Sequence, residues 1–356
     1  MPSSGTKKAS VKLAASRVGR TVAPREADPC NPSFDAEAAR RHFDGNVERT
    51  LATYRMAGEA GADLVISTED IKNSDPFIRY GAKNIFTELA EELPGPTSEK
   101  LSAVSKRYGM YTASNYYVKD GGAVYNAAVL IGRDGEIIGA YKKIHMPAHE
   151  RWMAEPGCEY PVFDTDIGVI GISICYDLIF PEHTRILALN GADIVLHLTG
   201  GWGFAYGDPA LGISLLQVRA AENAVYMATS YSMNALRPDS SSNIISNEGY
   251  VLAENRSLTE DGIAIAEFSP DYDIMRERKM WTFFSNVPST RARIAMERMP
   301  ETYAALTAPS PALVGERYSM YKYARTHDEI KDIAAKFDEY RQDSFDGRDN
   351  KLDFDW

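Results

Sequence analysis

Three residues in this sequence combine a reactive side chain with a position just past an apolar run. Cys175 follows the run 168–174 and precedes Tyr176, Asp177 and a Pro181 placed to open a helix. A thiol beyond a buried strand lies where α/β sheets bind ligands, and it becomes a nucleophile when a neighbouring cation or base promotes its thiolate. Taken alone, a single Cys beside a strand is more often a small core residue. Glu69 ends Gly61-Ala-Asp-Leu-Val-Ile-Ser-Thr-Glu69, again just past an apolar run. A carboxylate there can take a thiol proton and return one to a leaving nitrogen, although acids in such loops are commonly helix caps or solvated. Lys143, in Tyr141-Lys-Lys-Ile-His145, supplies a fixed cation that favours a thiolate and steadies an oxyanion, where most lysines are simply solvated. His145 raises the alternative of a Cys–His pair, against which stands a structural histidine.

These residues need elements to hold them. Apolar runs of strand length at 62–67, 110–117, 124–131, 168–174, 193–198, 224–230 and 263–268 alternate with helical patterns at 36–59, 96–106, 181–189, 211–223 and 290–297. Strands separated by helices predict an α/β sheet covered on its faces. Residues 11–18 are suited to begin the first strand. Gly61-Ala-Asp63 recurs as Gly191-Ala-Asp193, each closing a helix and launching a strand, with Gly as the left-handed cap. The recurrence hints at a repeated layer. Arg133-Asp-Gly135 is a hairpin signal, and Asn247-Glu-Gly249 is a second. Residues 319–340 suit one charged amphipathic helix.

The chain has 356 residues, with 39 Lys+Arg against 50 Asp+Glu and a net charge of −11. That acidity, without a basic stripe, argues against nucleic-acid binding. No run reaches the roughly 18 apolar residues of a membrane span. Cys30, Cys158 and Cys175 are too few for a disulfide scaffold and lack zinc-site spacing, so no metal or other cofactor is expected. The basic run from Lys7 to Arg25 suits a transit peptide in charge but lacks an apolar core, and we expect a cytoplasmic protein. Residues 1–10 are expected to be flexible, 11–300 to form one domain, and 301–356 to be a helical extension at a subunit interface.

The ordered set Glu69, Lys143 and Cys175 resembles the nitrilase superfamily of carbon–nitrogen hydrolases over most of the chain, from about Val11 to Arg278. Cys175-Tyr-Asp-Leu-Ile-Phe-Pro-Glu182 is similar to the family's nucleophile motif, and Arg219-Ala-Ala-Glu-Asn223 and Ser242-Asn-Ile-Ile-Ser-Asn-Glu-Gly249 are further echoes. The resemblance implies a single-domain four-layer αββα sandwich and selects Lys143, two before His145, over Lys142. It also implies a second glutamate before Pro156-Gly157, for which the spacing selects Glu150 over Glu155. It makes Cys175 the nucleophile, Glu69 the proton carrier, and Lys143 with the Tyr176 N–H the oxyanion donors. Trp202 and Gly201, in Thr199-Gly-Gly-Trp202 where relatives often have Ser-Asn-Trp, are expected to bind substrate. The expected partners are a small amide or N-carbamoyl substrate and a second copy of the chain, as homodimer or larger assembly. A small non-peptide amide leads the reading and an N-carbamoyl compound follows it. A true nitrile ranks lower, since nitrilases often carry Cys-Trp-Glu. A papain-like protease and a retired scaffold protein are the remaining alternatives.

Overall fold

The computed structural model describes residues 7–29, 31–74, 83–147, 150–200, 211–233, 240–270, 294 and 296–307. The described chain forms two six-stranded sheets. The first has the order β12-β1-β2-β3-β4-β5, from β1 (Val11–Arg17), β2 (Leu64–Ile66), β3 (Tyr111–Asp120), β4 (Ala123–Ile131), β5 (Ile137–Lys142) and β12 (Gly262–Phe268). The second has the order β11-β10-β9-β8-β7-β6, from β6 (Val162–Thr165), β7 (Gly168–Ile174), β8 (Ile194–Thr199), β9 (Tyr226–Tyr231), β10 (Ser242–Ile245) and β11 (Val251–Asn255). Helices α1 (Ala36–Glu59), α2 (Lys83–Leu89) and α3 (Pro96–Tyr108) belong to the first half, and α4 (Pro181–Leu189) and α5 (Leu211–Asn223) to the second.

Strand alternation sorts the side chains into layers. Leu13, Leu64, Ile66 and Leu130 of one sheet meet Ile170, Ile172, Ile174, Leu196 and Leu198 of the other in a core between the sheets. Their neighbours along the strands face outward. Ala14, Val65 and Val129 pack with Leu51 and Tyr54 of α1 and Leu101 of α3, while Val195, Met227 and Ile245 pack with Leu187 of α4 and Leu216 of α5. The result is the expected single-domain αββα sandwich.

The two halves repeat one topology. In each, two parallel pairings (β1–β2–β3 and β7–β8–β9) are followed by two antiparallel ones (β3–β4–β5 and β9–β10–β11). The repeated tripeptide marks the same joint in both. Gly61 and Gly191 cap their helices at φ 73° and 106°. The Asp63 carboxylate then accepts from Lys12 N at 3.0 Å as that of Asp193 does from Val169 N at 2.8 Å. The Asp63 and Asp193 carbonyls accept from Tyr111 N and Tyr226 N at 2.8 and 2.9 Å.

Four of the expected helices begin where their patterns predicted, and α1, α4 and α5 keep both ends. Both hairpin signals also close turns, at Gly135 (φ 88°) between β4 and β5 and at Gly249 (φ 85°) between β10 and β11. The strands β6, β10 and β11 were not anticipated; they are short, and β6 and β11 are half-exposed sheet edges without an apolar run. Within the segment 1–10, Lys7 is tied to Asp164 and the Thr165 carbonyl, and Lys8 to Asp63 at 2.5 Å. Beyond residue 299 the described chain makes two short turns, Pro300–Thr302 and Ala304–Thr307. The patterns at 290–297 and 319–340 lie largely or wholly outside the described residues, as does Cys30. Among the described residues no helix is long and apolar enough to cross a membrane.

Candidate active site

Glu69 is delivered by a tight turn past β2. Ser67 Oγ accepts from Asn115 N at 3.0 Å, Asn115 Oδ1 accepts from Asp70 N at 2.7 Å, and Asp70 takes a left-handed φ of 51°. The turn leaves Glu69 buried with both oxygens engaged. Oε1 lies 2.7 Å from Lys143 Nζ and 3.0 Å from Asn126 Nδ2, and Oε2 accepts from Gly200 N at 2.9 Å. Gly200 has to be a glycine for that approach, because a Cβ there would stand 2.4 Å from Arg20 Nη2 and 3.0 Å from Glu69 Oε2.

Strand alternation at the end of β5 separates the two lysines. Lys142 faces outward to Asp120 at 2.6 Å and over the Tyr125 ring, whereas Lys143 is buried at 2% exposure. Its backbone is pinned on both sides, N–H to Asn126 O and carbonyl to Gly157 N, each at 2.8 Å. Its ammonium also meets Glu150 Oε2 at 2.7 Å. Glu150 sits in a 3₁₀ turn (Glu150–Trp152), and its Oε1 accepts from Tyr117 Oη at 3.1 Å and from Asn126 Nδ2. One cation thus serves two buried carboxylates whose other lone pairs are filled by amides and a phenol. Buried charge requires that completeness.

Cys175 follows β7 and opens a 3₁₀ turn (Cys175–Ile179) with φ 44°, a left-handed backbone unusual for a residue with a side chain. Its thiol lies beside Glu69 and Thr199, and both act on its titration. Burial pushes that thiol up to about 12, with the Glu69 carboxylate adding to the rise and Lys143 opposing it. For Glu69, burial alone would act upward, but the Lys143 ammonium outweighs it and holds the carboxyl below its usual range. Lys143 is held charged, its own burial more than offset by Glu150 and Glu69. The resting site is therefore a protonated thiol facing an ionised carboxylate, with an ammonium beside both.

The structure brings together four of the residues singled out from the sequence, Glu69, Lys143, Glu150 and Cys175. Tyr176 follows Cys175, half-buried, its ring edge-on to Phe180 at 5.5 Å. Trp202 and Gly201 lie outside the described residues. His145 does not act as a base for the thiol; its Nδ1 is paired with Asp177 at 2.9 Å and its ring stacks on Phe180 at 3.9 Å. Asn126, Asn115, Tyr117 and Gly200 were missed. Asn126 carried a readable signal, being the lone amide in the otherwise apolar β4, whereas β3 around Asn115 also holds Thr112, Ser114, Lys119 and Asp120. His145, Asp177 and His183 offer three possible metal-ligand atoms within 4.8 Å of one another. The Asp177 carboxylate, however, already accepts from Ile174 N, Tyr141 Oη, His145 N and His145 Nδ1. The cluster is a hydrogen-bond hub.

Residues 31–273 match the family described as carbon-nitrogen hydrolase. A nitrilase of Pyrococcus abyssi is 32% identical over 242 residues, covering 67% of this chain and 87% of that protein. Human omega-amidase NIT2 is 34% identical over 194 residues, covering 52% and 67%. Among solved structures, a carbon-nitrogen hydrolase from Helicobacter pylori superposes with a TM-score of 0.62 at 18% identity, over 85% of this chain and 99% of the other. A nitrilase-superfamily amidase from Nesterenkonia gives 0.59 at 19%, over the same shares. At those identities the structural likeness is one of fold.

Proposed function

The chain belongs to the carbon–nitrogen hydrolase family, hydrolases of C–N bonds other than peptide bonds, and from that premise we infer that it cleaves a small non-peptide amide through a thioester on Cys175. The observation that carries this reading is the buried cluster in which Glu69 meets the Lys143 ammonium at 2.7 Å, with the Cys175 thiol close enough for both to act on it.

The chemistry follows from the protonation states. Glu69 takes the thiol proton as sulfur bonds to the amide carbon, and the carbonyl electrons move onto oxygen. Lys143 and the Tyr176 N–H receive that oxyanion; loss of one such donor costs about 3–4 kcal/mol of barrier in comparable hydrolases. Collapse breaks the C–N bond, and the amine or ammonia leaves with the proton from Glu69. A water then attacks the thioester as Glu69 takes its proton. The second collapse releases a carboxylic acid, and the proton returns to sulfur. Glu150 keeps Lys143 charged and in place throughout.

The amide reading is supported by Cys175-Tyr-Asp177 in place of Cys-Trp-Glu, and by relatives that include an omega-amidase. A second reading, an N-carbamoyl compound, draws on the seat of Glu150 on Lys143 and its spacing to Pro156-Gly157. Ammonia release from a panel of small amides, N-carbamoyl compounds and nitriles, with Cys175→Ala alongside, separates the readings. Hydrolysis of amides alone, abolished in the variant, is the expected result. Carbamoyl hydrolysis alone selects the second reading, and an active Cys175→Ala overturns both.

A further inference from the structure

The hub around Asp177 links two parts of the site that come from different sheets. Cys175 follows β7 in the second sheet and Lys143 follows β5 in the first, with no covalent reason to stay in register. Asp177 Oδ2 accepts from Ile174 N at 3.0 Å, the residue immediately before the nucleophile. The same oxygen accepts from Tyr141 Oη at 2.7 Å, and that hydroxyl in turn accepts from Ile144 N at 3.2 Å, the residue immediately after Lys143. Asp177 Oδ1 accepts from His145 N and from His145 Nδ1, both at 2.9 Å. Asp177 and Tyr141 are fully buried, so neither bond has water to replace it.

We propose that Asp177 is a positioning residue, a single buried carboxylate that clamps the nucleophile turn to the lysine segment and sets the distance between Cys175 and Lys143. Tyr141 and His145 are its two side-chain arms. The carboxylate touches neither substrate nor reacting atoms, and acts only through the backbone of Ile174, Ile144 and His145. It also supports the left-handed Cys175, because the donor it holds lies one residue before that strained position. This proposal rests on the reading of Cys175 as nucleophile.

The test uses the whole chain with Tyr141→Phe, His145→Ala and His145→Asn. Iodoacetamide labelling, followed on the Cys175 peptide because Cys158 is also a free and exposed thiol, probes Cys175 without a substrate. His145 is partly exposed, so its variants keep the fold and cover the case in which Tyr141→Phe does not. Misplacing a reacting group by a fraction of an ångström lowers kcat by about tenfold or more, so Tyr141→Phe and His145→Ala are expected to lose that much and to alkylate more slowly. KM stays within about twofold, because ground-state binding is untouched. His145→Asn, whose amide restores a donor towards Oδ1, regains most of the loss. Unchanged kcat and alkylation in His145→Ala would overturn the clamp, as would a loss confined to KM. Equal losses in His145→Ala and His145→Asn would also overturn it, assigning the effect to ring packing on Phe180. Failure of the underlying reading looks different: Cys175→Ala would keep hydrolysing, while the alkylation rates would still report on the clamp.

Discussion

Tyr117 and Asn126 stand directly opposite one another on β3 and β4, and both donate to the same oxygen of Glu150. Asn126 also donates to Glu69 at 3.0 Å. Two strand residues thus fix both carboxylates that share Lys143, and the charged centre of the site is built onto the middle of a sheet.

Asn126→Leu keeps the branched shape, with a larger volume, and removes the bridge. Two buried carboxylate oxygens each lose a donor, so the variant should be destabilised by about 1–3 kcal/mol and should lose activity with it. Urea denaturation beside a kcat measurement checks this. Tyr117→Phe, which strips one donor from Glu150 alone, should cost less on both scales.

Lys143→Met tests the shared cation. Removing one partner of a buried pair leaves uncompensated charge, here two carboxylates together, and costs about 3–5 kcal/mol. The variant should also be inactive. Lys143→Arg should not restore turnover, because a planar fork cannot replace a point charge that meets Glu69 and Glu150 at 2.7 Å each. A Lys143→Met protein as stable as the parent would remove the electrostatic account of this centre.

Acid stability should carry the signature of Asp177. Burial alone would raise its carboxyl, but the His183 ring and the His145 and Tyr141 hydrogen bonds lower it from 3.8 to about 2. A depressed carboxyl contributes stability that is complete above its unfolded value and lost as pH falls through the folded one. Asp177 should therefore contribute about 2 kcal/mol above pH 3.8, draining away toward pH 2. Urea midpoints across that window should fall more steeply for the parent than for Asp177→Asn.

Gly200→Ala places a methyl against Arg20 Nη2 and Glu69 Oε2. Glu69 is buried and held by Lys143, Asn126 and Gly200 N, so displacing it should cost about 1–3 kcal/mol of stability. Glu69 must shift to accommodate the methyl, and displacing the carboxylate proposed to carry the proton should lower kcat by about tenfold to a hundredfold. A variant with parental kcat would show that Glu69 tolerates the shift.

Much of this site was readable because an apolar run followed by one polar residue marks a strand end, and Glu69, Lys143 and Cys175 all stand at such ends. The choice between Lys142 and Lys143 needed a family resemblance, and β5 supplies its physical basis, since neighbours on a strand face opposite ways. Glu150 lies in a 3₁₀ turn without periodicity, so only the family resemblance, through the spacing to Pro156-Gly157, pointed to it. Asn126 was visible as an amide among apolar residues and Asn115 was not, and the contacts that matter, to Asp70 N and Glu69, lie 45 and 57 residues from Asn115 and Asn126 respectively. Asp177 looked like one more motif residue until the sheets were packed, because its donors come from a segment of the other sheet. The edges β6 and β11 are held by ladder hydrogen bonds more than by burial, and sequence patterns do not register that.

The central claim is the covalent step at Cys175. The direct test is the intact mass of the protein, quenched in acid during turnover of an amide it hydrolyses, followed by peptide mapping. The account predicts an added mass equal to the acyl part of the substrate, located on the Cys175 peptide and absent in Cys175→Ala. Full turnover with an unmodified Cys175 at every quench time, matched by an active Cys175→Ala, would contradict it.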